Sequence, residues 1–239
     1  MEGSALVDAE TVRIGSALHD GAQLQLEVPM AFTRRQPMPS HMLSRFLKLI
    51  LLFTAVCLAI QGGDIAGKVS DGKGVSVVYL EAIPGKTFPA ATKTFIMKTF
   101  IMDQKSLSFE PHVLAVPVGT TVEFLNSDNL SHNIFWPSIG GNKKLGHNMG
   151  TWPMGQKRGF KFDTPGVVPL LCNVHREMSA YIVVTPTPFF AETDAAGAYR
   201  IAGVPNGRYT VTAWHEGLKY ASKRLTVSGD ATLDFALSQ

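Results

Sequence analysis

The chain has 239 residues, 45% of them hydrophobic, which is enough for one large or two smaller cores and excludes global disorder. A formal net charge of +3 is too small to indicate a nucleic-acid-binding protein. The sequence contains no P-loop, GxGxxG, GxSxG or HExxH pattern, so none of the common nucleotide-binding, hydrolase or zinc-peptidase motifs is present.

The first recognisable element is a secretory signal pattern that starts at Met42. Arg45 and Lys48 form a positive region, and an apolar stretch and small residues follow it. The apolar stretch is too short to span a bilayer as a stable helix. We therefore expect residues 42–60 to be a signal peptide, and the mature protein to be periplasmic or secreted without a membrane span.

Residues 1–41 precede this signal and show no clear hydrophobic period. We expect them to be an over-extended start of the coding sequence, with Met42 as the true start, or a disordered extension. A disordered cytoplasmic tail in front of a membrane anchor is the alternative. A lipoprotein signal at Cys57 is a weaker option, because Val56 is bulkier than the residues that usually precede a lipidated cysteine.

Cleavage of the signal would leave Cys172 as the single cysteine of the mature protein. It could then form no internal disulfide bond. A lone thiol in an oxidising compartment has to be buried, capped, paired with another chain or bound to a metal.

From Gly63 onward the sequence consists of short β-branched or alternating runs that Gly, Pro, Asn and Asp separate. This pattern predicts an all-β protein built from β-sandwiches or barrels. The predicted strands are residues 75–83, 112–118, 121–126, 159–163, 180–184, 199–204, 208–214 and 224–229.

The pentapeptide KTFIM occurs at residues 93–97 and immediately again at residues 98–102. A period of five fits neither a strand nor a helix face, which indicates a local duplication in the coding sequence. We expect the second copy to continue as a strand into DQKSLSFEP, and the first copy to form a bulge or a loop extension.

Cys172, His175 and Met178 are spaced three residues apart in LLCNVHREMSAY. One interpretation is a buried apolar cluster, because Cys and Met are common core residues. The strand-like flanks, however, predict that residues 173–179 form a loop, which can direct a thiolate, an imidazole and a thioether at one metal. With a second histidine, for which His132 at the end of another strand is the candidate, this donor set favours copper over zinc.

The four candidate ligands lie in two longer segments. These are residues 109–135 (FEPHVLAVPVGTTVEFLNSDNLSHNIF) and residues 160–184 (FKFDTPGVVPLLCNVHREMSAYIVV). They resemble the cupredoxin family, and the Cys-x2-His-x2-Met spacing is similar to that of its amicyanin- and pseudoazurin-like members. The resemblance implies a cupredoxin Greek-key β-sandwich at residues 88–186, with Asn133 joining the ligand loops by hydrogen bonds. It also implies one type 1 copper ion bound by four side chains, those of His132, Cys172, His175 and Met178.

Two charged residues of the ligand loop depart from the family pattern, and five basic residues lie close together elsewhere in the sequence. Arg176 and Glu177 interrupt the apolar surface through which such proteins usually meet their partners, so the docking surface stays open. A group of basic residues is either a solvated face or a docking patch for an acidic partner, and it comprises Lys143, Lys144, Lys157, Arg158 and Lys161.

Three other histidines need an interpretation. We expect His112 to be a packed or surface residue rather than a ligand. His147 lies in a segment that predicts a mobile loop, with an auxiliary copper site that includes Met149 or Met154 as the alternative. His215 ends a predicted strand and is expected to cap it or to pair with the glutamate that follows.

Residues 192–237 resemble a carboxypeptidase-regulatory-like or transthyretin-like sandwich, through Thr-Asp-x-x-Gly-x-Tyr and Gly-Val-Pro-x-Gly-x-Tyr-x-Val. The first strand pair of that family resembles residues 67–83 instead. The resemblance implies a discontinuous second β-sandwich, made of residues 64–84 and 187–239, with the cupredoxin domain inserted between its parts.

The order of these parts resembles bacterial plastocyanin-like proteins that are often labelled methylamine-utilisation proteins. This resemblance implies a periplasmic one-electron carrier whose redox partner is a dehydrogenase or a cytochrome, without enzymatic activity. The alternative is a copper-binding or copper-sensing protein, or an adhesion-type β-sandwich protein, without a role in electron transfer. An oxidase or reductase is disfavoured because the sequence offers no second set of copper ligands.

Overall fold

The fold is described from a computed structural model, which covers residues 62–70, 72–82 and 99–239. The predictions for the N-terminal extension, the signal peptide and the first KTFIM copy lie outside these residues. Within them, every regular element is a β-strand except one 3₁₀ turn at Lys143–Leu145. The predicted all-β class is therefore confirmed. No helix in this part of the chain could cross a membrane.

The strands are numbered in chain order. The first nine are β1 (Gly62–Ser70), β2 (Ser76–Leu80), β3 (Phe100–Lys105), β4 (Ser108–Glu110), β5 (Val113–Pro117), β6 (Thr120–Asn126), β7 (His132–Trp136), β8 (His147–Trp152) and β9 (Lys157–Phe162). The others are β10 (Gly166–Leu171), β11 (Ser179–Thr185), β12 (Phe190–Glu192), β13 (Ala198–Pro205), β14 (Gly207–His215), β15 (Ala221–Val227), β16 (Ala231–Thr232) and β17 (Phe235–Ala236).

Strands β3 to β11 form the first sandwich, whose two sheets have the orders β5-β11-β10-β7-β8 and β4-β3-β6-β9. The pairs β5–β11 and β3–β6 are parallel, and the other pairs are antiparallel. Side chains alternate between core and solvent, as in β3, where Phe100 and Met102 are buried and Ile101 is exposed. Large aromatic residues fill the space between the sheets, among them Phe124, Trp136, Trp152 and Phe162.

Phe100, Ile101 and Met102 of the second KTFIM copy lie in β3, which continues to Lys105 as the sequence predicted. Its Phe100, Ile101 and Met102 pair in parallel with Val122, Glu123 and Phe124 of β6. The second copy is therefore an integral part of the first sandwich.

The second sandwich combines strands from both ends of the described chain. One sheet has the order β13-β1-β16 with β17 also pairing with β1, and the other has the order β12-β2-β14-β15. Strands β1 and β2 thus pair with strands that follow the first sandwich in sequence. The proposed domain boundaries themselves stay a prediction.

A turn between β12 and β13 illustrates how the sequence specifies this sandwich. The amide of Gly197 donates to the carbonyl of Asp194 at 2.9 Å and closes a tight turn. Gly197 has a φ of +78°, and a Cβ atom there would collide with the carbonyl oxygen of Val69. Only glycine suits this position without strain.

The two sandwiches contact each other through an apolar layer. Its buried members come from β2, β5 and β11, and they are Val77, Val113, Ala115 and Val183. The amide of Ala115 also donates to the carboxylate of Glu192 at 2.8 Å. The outer face of the first sandwich, opposite its own core, is therefore covered by the second sandwich.

His112 lies at the edge of this contact, on the surface as the sequence suggested. Its Nε2 is 2.5 Å from the carboxylate of Glu216, and its ring packs edge-on against Tyr181. Tyr181 in turn packs against Trp214 of the second sandwich, at 5.4 Å between ring centroids. These groups form a polar and aromatic rim around the apolar layer.

In the second sandwich, the carboxylate of Asp64 holds β1 to β13. It accepts hydrogen bonds from the amide of Gly203 at 2.8 Å and from Nε of Arg200 at 2.6 Å. The Gly203 amide and then the Arg200 side chain lower the pKa of Asp64 below its ordinary 3.8, against the opposing effect of desolvation.

We predict that Asp64→Asn lowers the stability of the protein in a pH-dependent way. Because the folded pKa lies below the unfolded value, the ionised carboxylate stabilises the fold above about pH 4, and this contribution is lost as the pH falls through the folded pKa. Urea unfolding should show a lower midpoint for the variant at pH 7 and a much smaller difference at an acidic pH below the folded pKa. The control is Asp163→Asn, whose mostly exposed carboxylate pairs only with Lys161 and should contribute little. If Asp64→Asn lowered the midpoint of urea unfolding equally at both pH values, the prediction would be contradicted.

Candidate metal centre

The fold brings the two ligand segments together at one end of the first sandwich. Cys172 directly follows the last residue of β10, and His132 is the first residue of β7. The two strands are antiparallel neighbours, with Leu171 opposite Phe135, so the end of one meets the start of the other. The prediction that His132 ends a strand is wrong: β6 ends at Asn126, and His132 begins the next strand.

Three of the predicted ligands converge in space. Their candidate ligand atoms, one each from His132, Cys172 and His175, all lie within 4.8 Å of one another. The Nδ1 atoms of the two histidines are 2.9 Å apart. Two nitrogens bound to one ion at about 2.0–2.1 Å can be no more than about 4 Å apart, so this separation suits a single metal ion. His132 and Cys172 are buried, and the ring of His175 is partly exposed.

Met178 is placed under the ligand loop. Its amide donates to the carbonyl of His175 at 3.1 Å, which closes the turn after that residue. The side chain is buried in the same apolar cluster as Cys172. This position suits both a core residue and an axial ligand, and the ligand role of Met178 stays a prediction.

The sulfur of Cys172 is surrounded by amide donors. The amides of Asn133 and His175 point at Sγ at 3.5 and 3.4 Å. Charged acceptors form stronger hydrogen bonds than neutral ones, so this environment suits a sulfur that carries negative charge. Cys172 forms no disulfide bond within the described part of the chain.

Asn133 connects three segments around the site. Its side-chain Oδ1 accepts a hydrogen bond from the amide of Asn173 in the ligand loop at 3.3 Å. Its Nδ2 donates to Oδ1 of Asn148 in β8 at 2.9 Å. The Asn133 side chain is buried and both bonds are partly buried, which limits competition from water. They join β7, β8 and the ligand loop, as the resemblance implied for this residue.

Asp128 is a residue of the site that sequence reasoning missed. Its Oδ2 lies 2.7 Å from Nε2 of His132, and its side chain is 14% exposed. Its oxygens also accept the amides of Ser106 at 2.7 Å and Leu107 at 3.0 Å. Desolvation raises the pKa of Asp128, but the Leu107 amide, the His132 ring and the Ser106 amide together lower it below its ordinary value. The lowered pKa favours the ionised carboxylate, which can accept a hydrogen bond from Nε2 of His132.

The remaining histidines do not belong to this cluster. Among the described residues, neither His112 nor His147 belongs to a group of three or more His, Cys, Asp and Glu side chains that could hold a metal. The interpretation of the His147 segment as a mobile loop is wrong, because His147 begins β8. Its ring packs against Trp136 and Phe160, at 5.2 and 5.0 Å between centroids.

His215 is the last residue of β14, and its contacts differ from the predicted pairing with the next side chain. Its Nδ1 faces the backbone carbonyl of Glu216 at 2.5 Å, and its Nε2 faces the carbonyl of Lys73 at 3.0 Å. The carboxylate of Glu216 pairs with His112 instead. His215 therefore connects two backbone segments of the second sandwich.

Three of the five basic residues that lie close together in sequence are engaged within the protein. Lys157 and Lys161 each form an ion pair with a carboxylate, at 2.9 and 2.7 Å. Arg158 lies 4.7 Å from the centre of the Trp152 ring and donates to two backbone carbonyls of β8. These contacts favour the solvated-face interpretation over a dedicated acidic-partner patch.

Two family models match the chain. Residues 96–185 match the copper binding proteins of the plastocyanin/azurin family, and residues 178–238 match the carboxypeptidase regulatory-like domain. The sequence-based recognition of both domain types is thus confirmed. No curated protein matches the sequence.

Solved copper proteins are also similar to part of the chain. A methionine-substituted mutant of amicyanin in its Cu(I) form is 21% identical over 36% of this chain and 81% of that chain, with a TM-score of 0.34. A copper-containing nitrite reductase from Thermus scotoductus SA-01 is 25% identical over 44% of this chain and 25% of that chain, also at 0.34. A purple cupredoxin from Nitrosopumilus maritimus is 23% identical over 36% of this chain and 99% of that chain, with a TM-score of 0.32. The family models, rather than these similarities, carry the domain assignment.

We predict that Asn133→Ala destabilises the protein by about 1–3 kcal/mol, because two buried side-chain hydrogen bonds are lost. The measurement is urea unfolding of the metal-free protein. Asn173→Ala is the matched control, since Asn173 contributes its backbone amide to the bond and its side chain is exposed. Equal stability of the two variants would show that the Asn133 side chain does not hold the segments together.

Proposed function

We propose that this protein is a type 1 (blue) copper protein that carries single electrons. The observation that carries the proposal is the convergence of His132, Cys172 and His175 within the domain that matches the plastocyanin/azurin family. A thiolate, two imidazoles and a nearby methionine form the donor set that suits such a centre, whereas structural zinc sites use Cys and His without methionine.

Bound copper would supply a couple between Cu(II) and Cu(I). The protein's own contribution is to hold the donors in one arrangement and to limit their contact with water. His132 and Cys172 are buried, and the bonds to Asn133 and Asp128 fix the ligand segments from two sides. Ligands that do not rearrange cost little reorganisation when the charge of the site changes.

We propose that electrons enter and leave through His175, the member of the set whose ring is partly exposed. Exposed apolar side chains from four loops lie at the same end of the sandwich, namely Leu107, Leu130, Met154 and Val174. They offer a redox partner, such as a dehydrogenase or a cytochrome, a surface to dock on. Arg176 and Glu177 are exposed beside His175 and add charge to that surface.

We also propose an extracytoplasmic location, periplasmic or secreted, and no enzymatic activity of this chain by itself. The signal pattern that starts at Met42 supports the location. A single cysteine in the mature chain agrees with it, because metal binding would protect the thiol in an oxidising compartment.

The first test is to load the purified protein with Cu(II). We expect an intense visible band from charge transfer between sulfur and copper, a matching EPR spectrum and a reversible wave in voltammetry. Cys172→Ser should abolish the band while the fold is retained, whereas the control His112→Asn, at the rim between the sandwiches, should keep it. A colourless wild-type protein would contradict the proposal. Binding of Cu(I) without a reversible wave would favour a copper-sensing role instead.

The second test concerns Met178. Met178→Leu conserves volume and should leave stability within about 1.5 kcal/mol of the wild type. If the thioether is an axial ligand, its loss removes a weak donor to Cu(II) and should raise the reduction potential and alter the visible spectrum. The control is Met102→Leu, which changes a fully buried methionine on the opposite sheet. Indistinguishable potentials for the two variants would assign Met178 to the core alone.

A further inference from the structure

We propose that Asp128 is a positioning residue of the copper centre, and that the turn between β3 and β4 belongs to the same unit. The carboxylate holds the His132 ring in the tautomer that leaves Nδ1 free for a metal, and the turn holds the carboxylate. The inference rests on the proposed copper function, but part of its test is independent of copper.

The contact between Asp128 and His132 defines the tautomer. An ionised carboxylate only accepts hydrogen bonds, so the 2.7 Å contact requires the proton on Nε2. The neutral ring then presents a lone pair at Nδ1, the atom 2.9 Å from Nδ1 of His175. The opposite tautomer would place a proton on Nδ1, where the metal has to bind. Carboxylates in this position are known to orient metal-binding histidines and to raise their basicity.

Asp128 is itself held firmly by β3 and by the turn after it. Its own amide points at Oδ1 of Asn126 at 3.0 Å and at the carbonyl of Gln104 at 3.2 Å. The carboxylate accepts the two amides of the turn, from Ser106 and Leu107. Besides the contact with His132, two contacts therefore fix the backbone of Asp128 and two more fix its carboxylate.

The turn has an unusual backbone for its sequence. Lys105 pairs with Ser108, so Ser106 and Leu107 form a two-residue turn with φ values of 52° and 57°. Glycine or asparagine is the usual choice there, because a left-handed conformation is strained for other residues. The carboxylate of Asp128 compensates by binding both amides. We infer that the turn conformation is kept because it directs two donors at the residue that orients His132.

The charge of Asp128 also has an electronic consequence. A carboxylate with 14% exposure, hydrogen-bonded to a buried ligand ring, makes Nδ1 a better donor. A better donor stabilises Cu(II) more than Cu(I), because the ion of higher charge gains more from it. Asp128 should therefore strengthen Cu(II) binding and lower the reduction potential.

The central variant is Asp128→Asn, which conserves shape and removes the charge. We expect Cu(II) affinity to fall about 10- to 100-fold, and the reduction potential to rise. The matched control is Asp163→Asn, which removes the same charge in the loop between β9 and β10. That loop lies at the other end of β10, about 20 Å from Cys172 at 3.3 Å per residue. If Asp128 has a purely structural role, Asp128→Asn would lower stability without changing the Cu(II) affinity or the reduction potential. That result would overturn the proposal.

A second variant separates the backbone of the turn from the carboxylate. Leu107→Gly keeps the amide and relieves the left-handed strain, so it should raise or conserve stability without changing the potential. If Leu107→Gly shifts the reduction potential as much as Asp128→Asn does, the Leu107 side chain contributes to the potential. That result would contradict the claim that the turn acts only through its backbone amides and the Asp128 carboxylate.

The tautomer can be read in the wild-type protein without copper and without any variant. In ¹⁵N-labelled, metal-free protein, NMR should show the His132 proton on Nε2, in a hydrogen bond that slows its exchange with water. A proton on Nδ1 with a free Nε2 would refute the positioning role, even if the protein binds copper as proposed. Conversely, Nε2 protonation together with a colourless copper-loaded protein would refute only the proposed function.

Discussion

The structure of the site depends on holding two imidazole nitrogens and one sulfur within a few ångströms of one another in a largely buried position. Polar groups that leave water have to be hydrogen-bonded, or they cost stability. The protein meets this constraint with backbone amides at Cys172 Sγ, a carboxylate at His132 Nε2 and the Asn133 side chain between loops. The sandwich end where β7 begins and β10 ends is thus a hydrogen-bonded frame around three donor atoms.

The second sandwich leaves this frame accessible and covers another face. It packs on the outer side of β5 and β11 through Val113, Ala115 and Val183, while the ligand loop lies before the first residue of β11. Buried threonines reinforce the connection, since Thr187 Oγ1 donates to the carbonyl of Leu80 at 2.8 Å. His175 stays partly exposed, and the contact between the sandwiches holds the two together.

Much of the strand pattern could be predicted because inward and outward residues alternate, as in β3 and β14. Strand β8 could not be predicted, because its sequence HNMGTW does not alternate between apolar and polar residues. The burial of its side chains does not alternate either. It forms because β7 offers hydrogen-bonding partners and because His147 packs on Trp136 and Phe160. Similarly, Asp128 has no local signal of its role, since the turn amides that it binds are more than twenty residues away along the chain.

The sequence by itself determined the all-β class, the two domain types and the spacing of Cys172, His175 and Met178, because these depend on residue types and on short-range periodicity. The family resemblance already implied that His132 meets the ligand loop and that the two parts of the second sandwich combine. Tertiary structure alone connected Asp128 to the β3–β4 turn and set the register of β1 against β13. Contacts between distant segments depend on sheet order and register, which no local pattern encodes.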